Sequence, residues 1–185
     1  IALSGRAFNR NPQRKMRLSM SWPMITLKQA TAGRRIHGTS KPITILHVHG
    51  RMAGGGAEMR TVDVFRHIDR RRWRFHFCSL AGLSGELDDE IRALGGKVHL
   101  LRQSRIGFPR RFRNLLRRYQ FDVVHSHLHF YSGFVLRLAA QCGIPVRVAH
   151  FRTSQTDYVP TLPRRILHAL LRPWIERYAA DHVMR

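Results

Sequence analysis

From Pro42 onward, short β-branched or aromatic runs take turns with segments of helical periodicity, and this alternation constrains the fold most. Ile43-Thr44-Ile45-Leu46-His47-Val48-His49 has the composition and length of a strand. After a glycine-rich stretch, Met59, Val62, Val64, Phe65 and Ile68 recur at helical spacing and predict a helix running to Arg70. Trp73 to Leu80 alternates as a second strand. Ser84 to Leu94 predicts a helix with acids in its first turns, where the macrodipole favours them, and Gly95-Gly96 stops it. The cycle then repeats: strand Lys97–Leu101, helix Pro109–Tyr119, strand Phe121–His125, helix Tyr131–Gln141 and strand Ile144–His150. Pro163–Ala180 predicts a long helix bent or broken near Pro173, and His182-Val183-Met184 begins a sixth strand. Strict alternation implies right-handed βαβ units and a parallel sheet covered by helices. The expectation is an α/β, Rossmann-like doubly wound domain over residues 42–185, cut off at its C-terminal end because the sequence stops on half a strand.

Residues 1–41 are different. They hold nine Lys/Arg and no acid, lack a sustained period, and contain turn material such as Asn9-Arg10-Asn11-Pro12 and Ala32-Gly33-Arg34-Arg35. A signal peptide fits poorly, since Ser19, Ser21 and Pro23 interrupt its apolar stretch and Lys28 precedes its cleavage site. A disordered basic extension is the reading adopted. Across the whole chain 33 Lys+Arg face 11 Asp+Glu, a net charge of +22. Only four of the basic residues are Lys, so part of the excess reflects Arg-rich coding. The charge suits nucleic acid, an anionic membrane or a phosphorylated substrate. No uncharged apolar run reaches the length of a membrane-spanning helix. Cys78 and Cys142 form no C-x-x-C pair, which argues against a disulfide scaffold or a thiolate zinc site and makes a reducing compartment the default.

Ligands of open α/β sheets bind beyond the carboxyl ends of the strands, and three features fall there or beside it. Gly54-Gly55-Gly56-Ala57-Glu58 joins the first strand to the first helix, where glycines admit a close ligand and free N–H groups face an anion. It has neither the Gly-Lys-Ser/Thr of a P-loop nor a G-x-G-x-x-G, and a ligand-free tight turn is the bland alternative. His125-Ser126-His127-Leu128-His129 ends the fourth strand, His150 the fifth, and His47 and His49 the first, so six imidazoles approach one rim. Such a rim can bond sugar hydroxyls, hold phosphate or move a proton, or it can be a crowd of satisfied polar residues. On Pro109–Tyr119, Phe112, Leu115, Leu116 and Tyr119 make an apolar stripe flanked by Arg110, Arg111, Arg113, Arg117 and Arg118. That pattern reads as a core helix with a solvated face, or as a membrane-facing helix touching anionic head groups.

Ile45-Leu46-His47-Val48, Gly55-Gly56-Ala57-Glu58 and Asp122-Val123-Val124-His125-Ser126-His127, in that order and spacing, resemble the N-terminal domain of family 4 glycosyltransferases of the GT-B fold. The likeness covers residues 43–185 and is strongest to bacterial enzymes of exopolysaccharide and capsule assembly. It implies a retaining transferase moving a sugar from a nucleotide diphosphate sugar to a polysaccharide or lipid-linked acceptor. By that resemblance Gly55 and Gly56 approach the donor diphosphate, His127 lies at the transferred sugar as the catalytic residue, and His125 and His150 bind acceptor. The donor half would lie in a second, similar domain, so the fragment alone is expected to be inactive. Ala149-His150-Phe151-Arg152-Thr153-Ser154 departs from the family, which often carries another histidine and an Asn there. Neither a metal nor a cofactor is expected beyond the nucleotide sugar as co-substrate. The expected location is the cytoplasm, peripheral on the inner face of the plasma membrane.

Two rival readings stand beside this one. A metal-dependent hydrolase of the amidohydrolase type would use His47-Val48-His49 with His125, His127 and His150, although its eight-stranded barrel needs about 250 residues. A nucleic-acid binder would use the basic surface, but no RNP, zinc-finger or helix-turn-helix pattern is present.

Overall fold

The structure, a computed structural model, describes residues 41–104, 106–151, 161–179 and 181–184; the basic extension expected over 1–41 lies outside the described residues apart from Lys41. Six strands form one sheet in the order β3-β2-β1-β4-β5-β6. They are β1 (Ile43–His49), β2 (Trp73–Ser79), β3 (Lys97–Leu100), β4 (Val123–Ser126), β5 (Val146–Phe151) and β6 (Asp181–Met184). Every neighbouring pair is parallel. The helices are α1 (Gly56–His67), α2 (Asp88–Ala93), α3 (Phe108–Tyr119), α4 (Ser132–Gln141) and α5 (Leu162–Tyr178). This is the Rossmann-like doubly wound domain that the alternation implies, and its order is open, unlike the closed barrel of the hydrolase reading.

Side chains two apart on a strand share a face, and this sorts β1 into two layers. Leu46 and Val48 join Phe112 and Leu116 of α3, Val135, Leu136 and Ala139 of α4, and Ile175 of α5 in the larger core. On the opposite face Ile45 packs with Phe75 and Phe77 of β2, Val62 and Phe65 of α1, and Leu87 and Ile91 beside or within α2. His47 and His49 share that second face and follow Ile45 toward the carboxyl end. Between β1 and β4 the strand order reverses direction, and a doubly wound sheet opens its crevice at that switch point. The loops after β1 and β4 border it.

Several elements differ from the expected bounds, α1 ending at His67 and β5 starting at Val146 among them, and three differences bear on the fold. The α2 helix starts at Asp88 rather than Ser84: Gly85 lies hard against the Met52 backbone, and the Leu87 N–H is taken by the Met52 carbonyl at 3.3 Å. Ser84 and Gly85 instead run as loop, with the Ser84 hydroxyl and the Gly85 N–H both donating to the Asp88 carboxylate, at 2.8 and 3.1 Å. The β4 strand starts at Val123, since Asp122 is diverted to accept a hydrogen bond from the Thr44 N–H at 2.9 Å. Finally, α5 runs through Pro173 without interruption.

Candidate functional site

The glycine loop is pinned by Met52, which is fully buried and whose carbonyl accepts the Leu87 N–H at 3.3 Å. Of the three following glycines only Gly54 has a left-handed backbone, φ +75°, that a side chain would strain. Gly55 is the extended N-cap of α1, and a Cβ on Gly56 would meet nothing within 4 Å. So one glycine is demanded by the turn, and Gly56 leaves backbone open to whatever approaches. Met59 makes the first bond back into the helix, to the Gly55 carbonyl at 2.9 Å, and the N–H groups of Gly56 and Ala57 stand ahead of it. Those N–H groups and the helix dipole favour an anion. The Glu58 carboxylate curls over this start: its Oε2 would lie 2.4 Å from a Cβ on Gly55, and its Oε1 is 3.5 Å from Nδ1 of His49.

Beside the loop the parallel register gathers imidazoles. His47 is paired across the sheet with His125, their rings 5.1 Å apart. The His127 N–H donates to the Val48 carbonyl at 2.9 Å, carrying its ring beyond the end of β4 to stack on His49 at 4.2 Å and 9°. His125 and His127 are 4.1 Å apart, and His150 of β5 lies 5.3 Å from the first and 5.0 Å from the second. Five of the six expected rim histidines therefore meet. His129 does not: its φ of +49° turns the chain into a 3₁₀ turn (His129–Tyr131), and the side chain is exposed. The sequence pattern missed this curl because three histidines at every second position read as one extended face.

The cluster is poorly hydrogen-bonded. Nδ1 of His47 is 3.4 Å from Nε2 of His127, while Nε2 of His47, both ring nitrogens of His49, Nε2 of His125 and Nδ1 of His127 are buried without a hydrogen-bond partner. A buried polar atom left so costs about 1–3 kcal/mol, which marks the place as something other than a packed core. Burial holds the His47 imidazole well below its usual pKa, reinforced by His125, His49 and His150. Burial likewise brings His125 down to about 4 and depresses His127 further, with the neighbouring histidines adding repulsion. These rings are neutral near pH 7. A cavity of about 370 Å³ adjoins them, lined among others by His47, His125, His127, His150, Arg60 of α1 and Trp73 of β2. That volume lies in the range of small-molecule sites, about 300–1,000 Å³.

The basic helix α3 buries its apolar stripe. Phe108, Phe112 and Leu116 are buried against α4 and the sheet, so the apolar stripe belongs to the core and cannot enter a membrane. Arg110, Arg111, Arg117 and Arg118 are exposed and Arg113 half-buried. Three of the five arginines are engaged locally: Arg111 donates to the Arg102 carbonyl and the Ser104 hydroxyl, Arg113 to the Gln141 side chain, and Arg118 lies over the Tyr119 ring at 5.7 Å. Exposed apolar residues lie instead on α5, where Leu162, Ile166 and Leu170 recur every fourth residue. Near them an apolar groove of about 740 Å³ is lined by Pro109, Tyr131, Phe134, Leu167, Leu170 and Trp174. No helix among the described residues is long and apolar enough to cross a membrane. Cys78 and Cys142 are both free thiols, and burial lifts the Cys78 thiol to about 12, which makes it inert.

An open parallel sheet with a glycine-opened helix N-terminus and a polar rim at its switch point defines a ligand-binding domain of the doubly wound α/β class. The glycosyl transferase 4-like domain matches residues 55–185, and the chain belongs to that family. It is 41% identical over 113 residues to the capsular polysaccharide biosynthesis glycosyltransferase CapH of Staphylococcus aureus, covering 61% of this chain and 32% of the relative. A second relative, EpsF of Bacillus subtilis (strain 168), is 32% identical over 111 residues, covering 57% of this chain and 29% of its own length. The chain thus spans about a third of the length of these curated relatives. Among solved structures, a mutant O-GlcNAc transferase of Thermobaculum terrenum aligns over 65% of this chain and 25% of its own, with 20% identity and a TM-score of 0.47.

Proposed function

We propose that this chain is the acceptor-side, N-terminal half of a retaining glycosyltransferase that moves a sugar from a nucleotide diphosphate sugar to a polysaccharide or lipid-linked acceptor. The observation that carries the reading is that the open Gly56 backbone at the start of α1 and the cluster of His125, His127 and His150 both lie at the carboxyl ends of the strands. Family membership supplies the class of reaction, and this juxtaposition supplies its parts. As the glycosidic bond to the donor breaks, positive charge grows at the anomeric carbon and negative charge on the departing diphosphate. The N–H groups at the start of α1 are placed to stabilise the second charge without moving a proton. Imidazole nitrogens bond sugar hydroxyls, so His125 and His150 orient the acceptor and His127 the transferred sugar. Glu58, absent from the sequence-derived site, must swing off the helix N-terminus or meet the phosphate through a shared proton or cation. The chemistry of transfer itself requires no metal.

The groove beside α5 and the exposed arginines of α3 favour a lipid-linked acceptor met at an anionic membrane face, with the arginines touching head groups while α3 stays embedded in the domain. Transfer of labelled sugar from a panel of nucleotide diphosphate sugars to bacterial lipid extracts, by this chain joined to a donor-side half, tests the proposal. Product with retained anomeric configuration is expected, and its absence with every donor, or product of inverted configuration, sinks the reading.

A further inference from the structure

Three of the rim histidines are arranged for more than hydrogen bonding. His47, His49 and His127 each offer one ring nitrogen, and the three nitrogens lie within 4.8 Å of one another. Nδ1 of His47 and Nε2 of His127 are 3.4 Å apart. Two imidazole ligands at about 2.0–2.1 Å from a tetrahedral zinc ion stand about 3.3–3.4 Å from each other, so this separation is already that of one tetrahedral edge. His47 and His49 are 5% and 0% exposed, and Nε2 of each is buried with no hydrogen-bond partner. Glu58 supplies what a metal-binding histidine usually has behind it, a carboxylate at the far nitrogen: its Oε1 is 3.5 Å from Nδ1 of His49, which leaves Nε2 for the ion. The His49 and His127 rings are nearly parallel, so convergence of both nitrogens on one ion takes a turn about χ2, a soft torsion for histidine.

We propose that His47, His49 and His127 bind one divalent first-row transition ion of the zinc type, with Glu58 orienting His49 and a fourth position open to the adjoining cavity. An all-imidazole set suits zinc, nickel or copper(II) rather than magnesium or calcium, which take oxygen ligands. The nearest thiol on β2, Cys78, packs into the opposite layer and adds no sulfur ligand. The ion would give the buried Nε2 of His49 its partner and hold His127 at the carboxyl end of β4. This departs from the metal-free site expected from the sequence. It is independent of the transfer reading, since a chain that transfers no sugar can still bind the ion.

The test is metal binding by the untagged chain after stripping with a chelator, followed by calorimetric titration with Zn²⁺ and by the visible absorption of Co²⁺. One equivalent bound per chain, with the intense Co²⁺ bands of a tetrahedral site, is expected. His49→Gln and His127→Gln should each weaken binding at least about 100-fold, Glu58→Gln about 10- to 100-fold, and His99→Gln not at all. Far-UV circular dichroism of each variant separates lost ligands from lost fold. No saturable binding by the stripped wild-type chain overturns the proposal without recourse to any variant. Binding that survives His47→Gln and His49→Gln but vanishes in His150→Gln overturns it too, because the ion would then sit on His125, His127 and His150, the other close triad.

Discussion

The sheet carries two groups of buried histidines, and they meet the same desolvation problem in different ways. His76 of β2 and His99 of β3 bond each other at 3.0 Å, and both rings lie against Tyr119, with Phe121 edge-on to His76. Burial drives both down to about 4, so they are neutral, and one donates to the other. That pair bonds one nitrogen of each ring and leaves neither ring with a buried nitrogen lacking a partner. At the rim, neutral imidazoles of similar burial leave nitrogens facing one another or a cavity, without partners. Identity and burial alone therefore do not distinguish a structural histidine from a working one. What distinguishes them is whether the hydrogen-bond account closes inside the protein.

The sharpest way to break this comparison is to remove one member of each group and measure transfer. His127→Ala should lower kcat at least about 100-fold in the labelled-sugar assay, the range of a removed catalytic group, whereas His76→Ala should leave kcat per folded molecule near wild type. Equal losses from both would erase the distinction. Next in size is the pH dependence of stability, which both groups share. The folded pKa values of His76, His99 and His125 are depressed from 6.5 to about 4, so their contribution is complete above about pH 6.5. It is lost as pH falls from there toward 4, because the unfolded chain takes up protons first, at up to about 1.4 kcal/mol per pH unit for each histidine. Urea unfolding between pH 7 and 4 reads this slope, and replacing His76 and His99 together should reduce it. A flat profile would contradict the neutral, buried state of both groups.

A smaller effect separates the groups by stability at neutral pH. His99→Ala orphans a buried nitrogen of His76 and should cost about 1–3 kcal/mol, while Phe at both positions, which removes both polar atoms, should recover much of that loss. At the rim, His125→Leu removes a nitrogen that already lacks a partner and should cost less than His99→Ala; urea midpoints decide the order. The smallest stability change belongs to the glycine loop. Gly56→Ala meets open space and should alter stability by less than about 0.5 kcal/mol, whereas Gly54→Ala, at φ +75°, should cost about 1 kcal/mol. If Gly56→Ala nevertheless raises the donor KM, the open backbone serves the ligand rather than the turn.

Much of this was legible in the residues. The β-branched run of β1 ends where the structure ends it, at His49, because the glycine-rich segment behind it cannot continue a buried strand. Alternation placed His47, His49, His125, His127 and His150 near one rim, since strands of a parallel sheet end on the same side. Three things were not legible. Which imidazoles touch depends on β4 lying beside β1, a non-local pairing that no spacing reveals. The departure of His129 rests on a left-handed residue outside the usual glycine and asparagine signals. The role of Glu58 depends on its side chain folding back over Gly55, where the sequence shows only an acid in a helix's first turn. For α3, periodicity located the apolar stripe correctly but was silent about whether protein or lipid covers it.

The pairing of His47 with His125 also constrains how the sheet assembles. Sliding β4 by one residue along β1 would turn Val124 and Ser126 toward the cavity and drive His125 and His127 into the layer occupied by Phe112, Leu116 and Val135. Val123 and Val124 are near twins, so their hydrophobicity alone would barely oppose such a slip. The imidazoles oppose it strongly, since the slip would bury them among the apolar side chains of the larger core. The residues proposed for chemistry thus double as a check on strand alignment, and replacing both with apolar residues would free β4 to pair out of register.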